Sequence, residues 1–167
     1  MTDFAVLLRT LVEHDVKFII VGGLAATIHG SARLTRDVDV VYERSAENLD
    51  RIIKALQPLD PYLREAPRGL PFDWSAATLN RGLNFTLTTT AGSIDLLGEI
   101  VGGGGYANLL ENTVEATLFG VPCRVLDLPA LIRAKRAAGR ARDLEAIAEL
   151  EGLHKLTNGE PPLSDRS

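Results

Sequence analysis

Phe18 to Glu43 reads FIIVGGLAATIHGSARLTRDVDVVYE, and the fold turns on how this stretch divides. Residues 17–21, KFIIV, form a short β-rich apolar run that ends at Gly22-Gly23, the pattern of a strand. LAATIHG, residues 24–30, reads as a short helix. Ser31 to Arg36 is a polar, arginine-bearing link, and Asp37 to Tyr42 is a second strand whose acids alternate with valines. Strand side chains repeat with period two, so Asp37 and Asp39 share a face, about 6–7 Å apart. Val38 and Val40 then point into the core.

Working outward, Phe4, Leu7, Leu8, Leu11 and Val12 recur at helical spacing and predict an amphipathic helix before the first strand. Leu49, Ile52, Ile53 and Leu56 predict another after the second. Residues 57–82 carry Pro58, Pro61, Pro67 and Pro71, which break up any long element. The early part of that segment reads as loop, with Phe72-Asp73-Trp74 as a patch that packs back on the sheet. Leu83–Thr90 and Ser93–Leu97 are strand-like around Ala91-Gly92, the pattern of a hairpin. Gly102–Gly105 reads as a loop, since no Lys-Ser or Lys-Thr follows it as a phosphate-binding P-loop requires. Val114–Leu118 and Cys123–Leu126 read as strands around a Gly120 turn. Asp127 and Pro129 open a helix with Leu131, Ile132 and Lys135, and Gly139 separates it from a second with Leu144, Ile147 and Ala148. This order predicts a single α/β (α+β) domain over residues 1–156, a mixed β-sheet flanked by helices, with a loose tail over 157–167.

The chemistry rests on acids and glycines. At about 6 Å and an effective dielectric of 20, two ionised carboxylates repel by roughly 3 kcal/mol, a cost that a divalent cation between them removes. An Asp-x-Asp on a strand equally fits a solvated edge when taken alone. The upstream glycine pair and intervening arginines favour a metal site. Hard oxygen donors suit Mg2+ or Mn2+. Asp95, the lone acid of GSIDLL, is the candidate third carboxylate and the candidate activator of an attacking hydroxyl, with Asp37 and Asp39 holding the ions. Gly22 and Gly23 let a phosphate approach the backbone. Ser31, Arg33 and Arg36 in the link are candidate phosphate contacts, as is Lys135 from the closing helices. His14, His29 and His154 lack metal-ligand spacing, and His29 fits a structural hydrogen bond.

The whole chain narrows the alternatives. Its 167 residues, 46% of them hydrophobic, suit one domain with a sizeable core. A net charge of -4 argues against a broad basic face for nucleic acid. The single cysteine, Cys123, rules out an internal disulfide and a cysteine zinc cluster. No cleavable signal and no bilayer-spanning apolar run are visible, so a cytoplasmic protein is expected, with no membrane partner. A dinucleotide-binding loop lacks its third glycine, and a metal phosphohydrolase would need ligands that are not evident.

Val21-Gly22-Gly23, thirteen residues, then Asp37-Val38-Asp39-Val40, with a later strand acid in SIDLL, resembles the nucleotidyltransferase superfamily of the DNA polymerase beta type. The phrases Thr35-Arg36-Asp37-Val38-Asp39 and Lys135 … Arg142-Asp143-Leu144 resemble the small abortive-infection toxin-like nucleotidyltransferases. The resemblance covers residues 4–153. It implies the nucleotidyltransferase fold with C-terminal helices. It also implies magnesium-dependent transfer of a nucleoside monophosphate from a nucleoside triphosphate, such as ATP, to a hydroxyl on RNA, protein or a small molecule. Some bacterial members of the wider family act as toxin–antitoxin components beside a partner protein encoded nearby. A non-catalytic nucleotidyltransferase-like binding protein is the alternative expectation.

Overall fold

The opening apolar stripe forms α1, Phe4–Glu13, with Asp3 capping it by accepting from the Val6 N–H at 3.1 Å. Its buried face is Leu7, Leu8 and Leu11. β1, Phe18–Val21, is buried along its whole length. α2, Gly22–Ile28, starts at the first glycine, two residues before the helix that the sequence predicts. Gly22 has φ +64°, the left-handed region in which a side chain is strained, so the chain turns from strand into helix at that residue. β2, Asp37–Tyr42, buries Val38 and Val40 and leaves Asp37 and Asp39 partly open.

α3, Ala46–Leu56, follows, capped by Ser45. Asn48 on α3 is fully buried and satisfied: it accepts from the Lys17 N–H and donates to the carbonyls of Lys17 and Glu43. The proline-rich segment then contains two short elements that propensity does not announce, β3 at Tyr62–Leu63 and α4 at Ala76–Arg81. Its aromatic patch packs partly on the sheet's edge strand, as expected, and partly on α3. Phe72 meets Tyr62 edge-on at 5.9 Å, and the Trp74 indole N–H donates to the Ile53 carbonyl at 3.1 Å.

β4, Asn84–Thr89, and β5, Gly92–Leu97, form the expected hairpin. The glycine run, expected as loop, instead ends in a short strand: β6, Glu99–Ile100, pairs with β7, Gly104–Gly105, before α5, Tyr106–Leu109. β8, Thr113–Leu118, and β9, Val121–Leu126, form a second hairpin in which Cys123 is buried. α6, Leu128–Ala138, is capped by Asp127 and ends at Gly139, where φ is +65°. α7 is Ala141–Thr157.

The structure, a computed structural model, describes residues 1–67 and 69–158. Seven strands lie in the order β3-β4-β5-β2-β1-β9-β8. The sheet is mixed: β2 runs parallel to β5 and antiparallel to β1, and β1 runs parallel to β9. α1 packs on α3, α6 on α7, and α2 on both β2 and α6. The expected tail begins inside the last turn of α7, and from residue 159 it lies outside the described residues. No helix among the described residues is long and apolar enough to cross a membrane.

Candidate active site

The register of the central strands brings the acids together. Asp39 lies opposite Val21 on β1 and opposite Asp95 on β5. One carboxylate oxygen from each of Asp37, Asp39 and Asp95 lies within 4.8 Å of the other two. Asp39 Oδ1 is buried and has no hydrogen-bond partner. Burial, then the charge of Asp95 and a hydrogen bond to it, then the charge of Asp37, push the Asp39 carboxyl up from 3.8 to about 7. The Arg64 charge pulls it the other way.

These residues fit a divalent ion. Three hard oxygen donors converge, one oxygen is orphaned in the interior, and ionisation of Asp39 is disfavoured until a cation is present. The glycine pair is needed for a reason beyond phosphate access. A Cβ at Gly22 would run into Asp39 Oδ2, and one at Gly23 would lie 2.8 Å from Thr35 Oγ1. The strand end therefore makes room for the protein's own site side chains.

Asp37, Asp39, Asp95, Gly22, Gly23 and Lys135 all line one cleft of about 480 Å³. α6, the link before α7 and the start of α7 also line it, adding Arg140, Arg142 and Asp143. Asp143 is fully buried. The Arg140 guanidinium donates to it at 2.6 and 3.2 Å, and Lys135 Nζ stands 3.4 Å away. The hydrogen bond from Arg140 is the main reason its carboxyl is held below the ordinary value. Asp143 thus fixes two cations of the cleft that the acids also line.

Ser31 and Arg33 lie in a neighbouring cleft of about 180 Å³, which shares Gly23, Lys135 and Arg142 with the first. Both are tied to Glu149 of α7. Ser31 Oγ donates to Glu149 Oε1 at 2.6 Å, and Arg33 Nε is 3.8 Å from the same oxygen. Arg36 lines neither cleft. His29 is structural in its contact, with Nε2 2.8 Å from the Leu126 carbonyl oxygen.

Arg64 carries no signal in the sequence. It follows β3, and its backbone N–H donates to Thr86 on β4 at 2.9 Å. Its Nη2 donates to Asp95 Oδ1 at 2.8 Å, and Nη1 is 4.0 Å from Asp37 Oδ2. An isolated arginine in a proline-rich segment gives no hint of this. Glu99, which also lines the cleft, is likewise an ordinary surface residue in sequence, whereas Arg142 lies in the phrase that carried the family resemblance.

No protein-family model and no curated protein matches the chain. Solved structures do. The lincosamide antibiotic adenylyltransferase LnuA, lincomycin-bound, superposes with a TM-score of 0.59 at 14% identity, covering 91% of this chain and 98% of that one. ANT(2")-Ia in complex with adenylyl-2"-tobramycin superposes with a TM-score of 0.51 at 14% identity, covering 92% and 93%. TM1012 of Thermotoga maritima, a nucleotidyltransferase candidate, gives 0.50 at 13% identity, covering 92% and 89%. With the glycine turn between β1 and α2 and the mixed sheet that unites β2 and β5, these superpositions lead to one conclusion: the chain has the nucleotidyltransferase fold.

Proposed function

We propose that this protein is a metal-dependent nucleotidyltransferase that moves a nucleoside monophosphate from a nucleoside triphosphate to a hydroxyl of a small molecule. The observation that carries this reading is the convergence of Asp37, Asp39 and Asp95 in one cleft that Lys135, Arg140 and Arg142 also line. One wall suits a divalent cation and the other suits a polyphosphate. The same convergence favours catalysis over a purely binding role. The small-molecule acceptor is supported by the lincomycin-bound and adenylyl-tobramycin-bound relatives in fold, whose chains this one spans almost completely.

Asp37 and Asp39 would hold the ion, with Asp95 beside them. Bound Mg2+ or Mn2+ would neutralise charge on the phosphate oxygens. Lys135 and Arg142 face the cleft and would bind the outer phosphates, with Asp143 holding Lys135 in place. The acceptor oxygen forms a bond to the α-phosphorus, the bond between that phosphorus and the α–β bridging oxygen breaks, and pyrophosphate leaves. Asp95 takes the acceptor hydroxyl proton, which places a base at the acid nearest the sheet's β4 side.

The test is direct. Purified protein, Mg2+ and each nucleoside triphosphate labelled at the α-phosphate are incubated with hydroxylated antibiotics and small-metabolite extracts. Label transfer with matching pyrophosphate release, absent in Asp39→Asn, is expected. Nucleotide binding without transfer to any acceptor would favour the binding-protein reading.

A further inference from the structure

Arg64 sits against the acid cluster from the turn that follows β3. Its guanidinium is anchored twice: Nη2 donates at 2.8 Å to the Leu87 carbonyl and at 2.8 Å to Asp95 Oδ1. Nη1 lies 4.0 Å from Asp37 Oδ2. Its Nε is buried without a hydrogen-bond partner, and the side chain is 25% exposed. A surface ion pair chosen for stability rarely strands a guanidinium nitrogen in this way, because the desolvation is uncompensated. Here the group is spent on reaching two acids at once.

The charges explain what that achieves. The ionised acids carry three negative charges, and Arg64 reduces the cluster to two, which is what one divalent ion neutralises. Anchorage to a backbone carbonyl also means that the guanidinium stays in place rather than following an acid out to solvent. We infer that Arg64 is the built-in counter-ion of the acid cluster, a positioning residue that fixes Asp95 and holds down the cluster's affinity for free divalent cations. This rests on the metal-site reading above. Its consequence is that the resting protein binds free metal weakly, and that an ion becomes well held only when nucleotide phosphates supply further negative charge.

The two roles predict effects of opposite sign, which a merely structural bond would not give. Removing the positive charge, as Arg64→Met or Arg64→Gln, should tighten Mn2+ binding in the absence of nucleotide. At about 5 Å a unit charge repels a divalent ion strongly enough, even at the dielectric of water, for about a tenfold change. Losing the grip on Asp95 should at the same time lower kcat, with the KM for nucleotide less affected. Arg64→Lys keeps the charge without the fork. It should bind Mn2+ within about threefold of the parent, as the same charge argument requires.

Mn2+ binding is measured by electron paramagnetic resonance of the free ion, for the parent, the three Arg64 variants and Asp39→Asn, with circular dichroism to check the fold. Tighter Mn2+ in both neutral variants, unchanged affinity in Arg64→Lys and loss in Asp39→Asn is the expected pattern. Equal or weaker Mn2+ binding in the folded neutral variants, with Asp39→Asn still abolishing it, overturns the counter-ion role and leaves the metal site standing. No Mn2+ binding by the parent or by any variant sinks the metal site itself. Unfolding of both neutral variants marks Arg64 as a structural bond and also overturns the proposal.

Discussion

Asp39→Asn should make the metal-free protein more stable while abolishing its chemistry. The Asp39 carboxyl titrates near 7 in the folded protein against an ordinary value of 3.8. The folded state therefore keeps its proton longer than the unfolded chain does. The stability this contributes is fully present below 3.8 and is lost as pH rises through about 7. A shift of about three pH units at 1.36 kcal/mol each sets a ceiling of about 4 kcal/mol. The charges of Asp95 and Asp37 feed into that shift, so replacing Asp39 alone is expected to recover roughly half the ceiling. Asparagine imitates the protonated acid, whose donated hydrogen bond to Asp95 an amide N–H replaces. About 2 kcal/mol in a chain of this size is a rise of roughly 4–8 °C in Tm. The assay is thermal unfolding followed by circular dichroism, in chelator, from pH 4 to pH 8. The gap between variant and parent should be small near pH 4 and grow up to pH 7–8. Saturating Mg2+ should then raise the parent's Tm and leave that of the variant unchanged. A variant less stable than the parent at pH 8 in chelator, or a gap independent of pH, would refute the reasoning.

Three further outcomes follow from the same geometry. Lys135→Met should weaken nucleotide binding about tenfold to a hundredfold, the worth of a charge-assisted contact, with little change in Tm because Arg140 keeps Asp143 partnered; calorimetry with nucleotide and metal measures it. Gly22→Ala forces a side chain into a left-handed residue and against Asp39, so it should cost about 1–2 kcal/mol from the backbone alone and also weaken Mn2+ binding, read by thermal melts and metal titration. Asp143, whose carboxyl is held below the ordinary value by Arg140, contributes stability that is present at neutral pH and lost as acid protonates it; Asp143→Asn should therefore lower Tm at pH 7 and show a flatter acid limb below about pH 4, the range set by the unperturbed carboxylate.

Much of the site was legible because its parts are local. The glycine pair, the alternation of Asp37 and Asp39 against Val38 and Val40, and the capped helix after Asp127 all follow from short-range rules: a turn that needs a glycine, a strand of period two, a side chain that caps free N–H groups. The same rules passed over β3 and α4, where four prolines dominate the propensity and tertiary packing of Tyr62, Phe72 and Trp74 supplies the order. Ser31 and Arg33 were readable as polar residues near a phosphate wall. Their tie to Glu149 lies more than a hundred residues away in the chain, beyond any local pattern.

The sequence by itself determined the strand–turn–helix–strand unit that places two acids on one face, because pleat and periodicity act within a few residues. Only the tertiary structure decided that Asp95 stands beside Asp39, since the register of two strands joined through the forty-nine residues 43–91 is set by the packing of the whole sheet. It alone also decided that Arg64 stands beside Asp37 and Asp95 and that Lys135 pairs with Asp143. Charges converge where folding brings distant segments together, and each lone residue in the chain looks like any other surface ion until it does.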